Sequence, residues 1–123
     1  MFEVEKTFTF EAGHVLYHHD GVCSRPHGHS YVLKVAVRKE HLLSTGPQQG
    51  MVVDFHQIRS AVKPMLDEFF DHHWLNDTIK TESPTAEFIA KWIFDYLYPQ
   101  IEGLFRVTVC ETATSSASYT KIE

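Results

Sequence analysis

Apolar residues recur at every second position in two stretches of the chain, and each stretch predicts a strand. Phe2, Val4, Phe8 and Phe10 alternate with polar neighbours over about residues 2–11, interrupted only at Lys6. A strand with one buried face has this period. Tyr31, Leu33, Val35 and Val37 repeat the pattern over residues 30–40, against Lys34, Arg38 and Glu40. The spacing then lengthens. Phe55, Ile58, Val62, Leu66 and Phe69 fall three and four apart, which predicts a helix from Asp54 to about Phe70. Asp54 suits its N-cap, with Gln57 completing a capping-box pattern. Pro64, inside the run, removes an amide donor and predicts a kink.

Ser83 followed by Pro84 has the cap-then-first-turn signature of a second helix, whose apolar stripe is Phe88, Ile89, Trp92, Ile93, Tyr96 and Leu97. Pro99 ends it. Phe105, Val107 and Val109 alternate into Glu111, and Ser118 to Ile122 forms a return strand after the TATSSA turn region. The predicted order is ββααββ, an α+β fold. Consecutive strands pair most simply as antiparallel hairpins, with two helices on one face of a four-stranded sheet. The other face and both edges need water or another chain.

Composition narrows the class. The 123 residues suit a single domain spanning 1–123. Apolar residues make up 43% of the chain, and no apolar run approaches the roughly 18–20 residues of a bilayer span. No membrane association is expected. MFEVEKTFTF lacks the basic leader and continuous apolar core of a secretory signal. Two cysteines 87 positions apart argue against a disulfide framework, so a reducing, cytoplasmic setting is expected. The net charge of −5 argues against general nucleic-acid binding, which depends on neutralising phosphates.

The nine histidines change the picture more than the charge does. In VCSRPHGHSY, His27 and His29 lie two apart at a strand entrance, so both imidazoles face one side. His14, in FEAGHV, supplies a third nitrogen if the first two strands pair. Three neutral histidines would leave a zinc ion its full charge and an open position, the arrangement of a catalytic site. The plain alternative is a solvated strand entrance with a hydrogen-bonded loop histidine. Cys23 is open to three readings: a fourth ligand, a thiolate base beside a cation, or a small buried residue. Cys110, within a strand, reads as the last of these. Asp71 and His72, in FFDHHWLND, can form an orienter-and-base pair, or can serve as helix-end partners. Glu111 ends an apolar strand, where a carboxylate needs a partner. His18 and His19 read as solvated.

In order, FEAGH, CSRPHGHSY, GMVVDF, FDHHWLN, SPTAEFIAKWI and VCETATSSASY resemble the 6-pyruvoyltetrahydropterin and 6-carboxytetrahydropterin synthase family over nearly the whole chain. The resemblance implies the tunnelling fold (T-fold), in which sheets of three subunits join into a barrel and two trimers stack into a homohexamer. It implies one zinc ion per subunit on His14, His27 and His29, Cys23 as catalytic thiol, and Asp71 and His72 as an acid–base pair reaching a neighbouring subunit's site. It makes Glu111 the anchor of the pterin ring and places Thr85 against that ring. The interval between Cys23 and HGH resembles the carboxy-forming enzymes of queuosine and 7-deazaguanine synthesis. The pyruvoyl-forming enzymes usually carry the cysteine two residues further away. The expected substrate is a pterin triphosphate, with Arg25, Lys34 and Lys121 as candidate triphosphate contacts. Two departures stand out. Pro26 replaces a larger apolar residue, and Gly13 replaces a usual alanine, which would loosen the loop carrying His14. A non-catalytic zinc-dependent oligomer that binds pterin is the reading from another class.

Overall fold

A computed structural model describes residues 1–121. The first two elements are long strands, β1 (Phe2–His14) and β2 (His27–Lys39). They pair antiparallel over their full length, from Phe2 opposite Lys39 to His14 opposite His27. Both run further than the alternation of apolar residues predicts. The added residues include all three candidate metal ligands, so each of these sits on a strand backbone.

A helix, α1 (Phe55–Met65), follows a long connection, with Asp54 capping it by accepting from the His56 N–H at 2.9 Å. The single kinked helix expected to reach Phe70 is instead two pieces. One residue after Pro64, α1 gives way to a wider π turn over Leu66–Phe70. The Asp71 N–H closes that turn on the Leu66 carbonyl at 2.7 Å. The next residues form a two-residue strand, β3 (His73–Trp74), and a one-turn helix, α2 (Leu75–Thr78).

The longer helix α3 (Ala86–Leu97) is capped by Thr85, whose hydroxyl accepts from the Phe88 N–H at 3.1 Å. Ser83 is therefore not the cap that the Ser-Pro pair predicts. Thr85 remains extended, so Pro84 lies outside the helix with its carbonyl free for another partner. Two strands complete the chain, β4 (Leu104–Thr112) and β5 (Ser115–Thr120). The last strand begins earlier than expected, and Ile122 lies outside the described residues.

The sheet order is β3-β1-β2-β4-β5. Four strands are antiparallel as expected, and β3 adds a fifth, parallel to β1 through Ala12–His73 and Gly13–Trp74. A strand this short has no readable period, and only its contact with β1 defines it. The sheet is open rather than closed into a barrel within the chain.

Phe10, Tyr31, Leu33, Val35, Val107 and Val109 face Ile58, Val62, Ile89, Ile93 and Leu97 of the helices in one apolar core. Phe10 stacks on Tyr31 with ring centroids 4.8 Å apart. The opposite face is polar. Ser30 donates to Glu11 at 2.6 Å there, and Glu3 holds both Arg38 and Arg106 at 2.6 and 2.7 Å. Among the described residues no helix is long and apolar enough to cross a membrane.

Candidate active site

His14 is opposite His27 in the β1–β2 ladder, and His29 is opposite Ala12, one pleat along. Strand alternation turns all three imidazoles to the helix-covered face. Their ring centroids are 4.5, 5.1 and 5.0 Å apart, and one nitrogen from each lies within 4.8 Å of the others. His14 is fully buried.

The hydrogen bonds fix the tautomers of two rings. His14 Nδ1 lies 2.8 Å from the Pro84 carbonyl, and His27 Nδ1 lies 2.7 Å from the Arg25 carbonyl. A carbonyl can only accept, so each ring carries its proton on Nδ1 and presents a lone pair at Nε2. Those Nε2 atoms are 2.9 Å apart. Two lone pairs that close repel unless a cation lies between them. Nitrogens ligating one tetrahedral zinc at about 2.05 Å would be about 3.3 Å apart, so the arrangement fits a metal with a small adjustment. Burial pushes the His14 imidazole below its ordinary range, which favours the neutral form that ligates. The donor set suits zinc.

Glu111, at the end of β4, brings Oε2 to 3.2 Å from His29 Nε2 and 3.6 Å from His14 Nε2. It also lines a cleft of about 400 Å³ with Ala86, Glu87, Ser116 and Ser118, between the start of α3 and β5. The carboxylate thus stands between the histidine trio and a space that a small ring could enter. Thr85, the cap of α3, directly precedes that cleft in sequence. Tyr31 lies beneath the trio, its phenol pushed up by burial.

Cys23 sits in a one-turn 3-10 helix (Val22–Ser24), half-buried, with its carbonyl accepting from the Leu16 N–H at 3.0 Å. Its sulfur is outside the close-set group of ligand atoms. His18 and His19 are exposed, as expected, and His18 pairs with Glu82 at 2.8 Å.

Asp71 and His72 form the expected pair, with Asp71 Oδ2 3.0 Å from His72 Nδ1. The other Asp71 oxygen accepts from the Glu11 N–H at 2.9 Å, and the His72 N–H donates to the Glu11 carbonyl. That N–H and the neighbouring imidazole hold the Asp71 carboxyl below the usual range. His72 takes a left-handed backbone, φ 60°, to turn between the π turn and β3. With Glu11, Gly13, Gly28 and Ser30, and with His27 and His29 of the trio, it lines an open depression along β1 and β2. Of the triphosphate candidates, Lys121 lies over the Tyr98 ring at 4.3 Å, in a roomier cleft with Arg38 and Phe105 at the far end of β2.

Two contributors escaped the sequence reading. Arg25 and Pro84 act through main-chain carbonyls, which no side-chain pattern reveals.

The sequence profile of the 6-pyruvoyl tetrahydropterin synthase family matches residues 3–122. A Synechocystis protein named 6-carboxy-5,6,7,8-tetrahydropterin synthase is 45% identical over 97% of this chain and 93% of its own length. A Haemophilus influenzae protein of the same name is 32% identical over 97% of this chain and 99% of its own. The fold is similar to that of Caenorhabditis elegans 6-pyruvoyl tetrahydropterin synthase, with a TM-score of 0.83 at 29% identity, covering 98% of this chain and 96% of that one.

Proposed function

The chain belongs to the 6-pyruvoyl tetrahydropterin synthase family, and within it we propose a zinc-dependent 6-carboxy-5,6,7,8-tetrahydropterin synthase. In this reading 7,8-dihydroneopterin triphosphate and water give 6-carboxytetrahydropterin, acetaldehyde and triphosphate, as a cytoplasmic step of queuosine and 7-deazaguanine synthesis. The observation that carries it is the facing of the His14 and His27 Nε2 lone pairs at 2.9 Å, with Glu111 beside them at the mouth of a cleft.

His14, His27 and His29 would hold a zinc ion, which would supply Lewis acidity toward the side-chain hydroxyls of the substrate. Glu111 accepts the adjacent N–H donors of the pterin ring and fixes the reacting carbons, with Thr85 bordering the ring. Cys23, as thiolate, removes a side-chain proton. His72 relays protons to and from the leaving groups, held in one tautomer by Asp71.

In this reading Asp71 and His72 serve a second copy's site, so catalysis requires a homo-oligomer. Among the described residues, the outer edge of β1 before Glu11 and that of β5 are strand edges left for such pairing. A barrel of three subunits stacked into a hexamer satisfies both requirements.

Zinc-loaded protein incubated with dihydroneopterin triphosphate should release acetaldehyde. A product that keeps its three-carbon side chain would assign the chain to the pyruvoyl-forming branch. Pterin binding without any turnover would make it a binding protein.

A further inference from the structure

The strand carrying His14 is fastened along its outer edge by a single segment, residues 71–76. At one end the Glu11 N–H and carbonyl are taken by Asp71 and His72. In the middle, β3 pairs with Ala12 and Gly13. Beyond Trp74 the backbone turns into α2 and leaves β1, while the Val15 peptide groups still need partners. Val15 is only 2% exposed, so its peptide groups cannot turn to water instead.

The side chain of Asn76 meets that need. Its Oδ1 accepts from the Val15 N–H at 2.9 Å, and its Nδ2 donates to the Val15 carbonyl at 2.9 Å and to the Thr81 carbonyl at 3.3 Å. A carboxamide has the same donor and acceptor pair as a peptide unit. Asn76 therefore continues the β1–β3 ladder by one step after the backbone has left it. Its third bond fixes the start of the 81–84 segment, whose Pro84 carbonyl orients the His14 ring.

We propose that Asn76 is a positioning residue for the metal centre, setting both the backbone and the ring of His14 through Val15 and Thr81. The proposal rests on the three-histidine metal reading and extends it to a residue that touches none of the ligands. It also means that one short segment, residues 71–76, registers the Asp71–His72 pair against the metal ligand of the same subunit.

Asn76→Asp keeps the shape and the acceptor but turns one carboxylate oxygen, in place of the Nδ2 donor, toward two carbonyls. Zinc affinity of the full-length variant, measured by chelator competition, should fall by about 10–100-fold, the usual range for an outer-shell partner. The cobalt(II) absorption bands should change with it. Thr78→Val is the control. It removes a 2.6 Å bond from Thr78, in the same one-turn helix, to the Phe69 carbonyl, a bond that touches neither Val15 nor Thr81. It should lower thermal stability yet leave affinity within about twofold.

The proposal fails if Asn76→Asp binds zinc as the wild type does, or if Thr78→Val weakens binding equally. Hydrogen exchange on the wild-type protein gives a readout that no folding defect can obscure. The Val15 amide should be protected like those of β1, and exchange at the rate of an open loop would overturn the proposal. If the wild-type protein takes up no divalent ion while Val15 is protected, the metal reading falls and the role toward the ligand falls with it.

Discussion

Gly13→Ala tests whether the position that the sequence suggests is loose is in fact a tight contact. A Cβ built on Gly13 would lie 3.1 Å from Trp74 Cε3, 3.2 Å from Cζ3 and 3.3 Å from the His27 carbonyl oxygen. Carbon atoms pack best at about 3.5–4.0 Å, so ring and strand would have to part by about half an ångström. Overpacking of this kind costs about 1–3 kcal/mol. Replacing glycine lowers the entropy of the unfolded chain, which returns about 0.4–1 kcal/mol. Gly13 is not among the positive-φ glycines, so backbone strain adds nothing. The clash should win, leaving a net loss of roughly 0.5–2 kcal/mol. For a chain of this length that lowers Tm by roughly 2–8 °C. Trp74 lies on β3, two residues after His72, so its displacement should also move the Asp71–His72 pair. Acetaldehyde release should fall by about tenfold or more, since small misplacements of catalytic groups are costly. Thermal melts and fluorescence of Trp74 in a Trp92→Phe background would follow the change. In a Trp74→Ala background Gly13→Ala should cost little, and that coupling isolates the contact. A Gly13→Ala protein as stable and as active as the wild type would refute the reasoning.

Zinc at about one hundred times its Kd should add about 2.7 kcal/mol of stability, and a chelator should remove it. A Tm indifferent to both would discard the metal site. Cys23→Ala should abolish turnover with zinc content unchanged by metal analysis, because its sulfur stands apart from the ligand nitrogens; a parallel loss of zinc would make the thiol a ligand. Glu111→Gln should weaken pterin binding by about 10–100-fold, the loss of a charge-assisted pair of hydrogen bonds, read as a higher KM or Kd. The Asp71 carboxyl is depressed by the Glu11 N–H and then by His72, so its stabilisation is full above about pH 4 and is lost as pH falls through its folded value. Asp71→Asn should flatten that acid limb of a urea-midpoint profile, and an unchanged limb would contradict the assignment.

The strands and helices were legible because burial imposes a period. Phe8 and Phe10 on one strand, or Ile58 and Val62 on one helix, share a face by geometry alone. That His27 and His29 share a face was legible for the same reason, since a spacing of two on a strand is a statement about direction, whereas His14 joins them only through the pairing of β1 with β2. The sequence also ranked Asp71 and His72 as partners, because adjacent residues need no folding to meet.

What it missed was set by contact between distant segments. The two-residue β3 exists only because Glu11, Ala12 and Gly13 receive it, and Ser83 lost the cap to Thr85, which left the Pro84 carbonyl free for His14. Gly13 reads as freedom in the sequence and as close packing in the fold. Local patterns carry the direction of a side chain, but the partner of a peptide group is chosen by which other chain segment reaches it first, and only the assembled tertiary structure decides that.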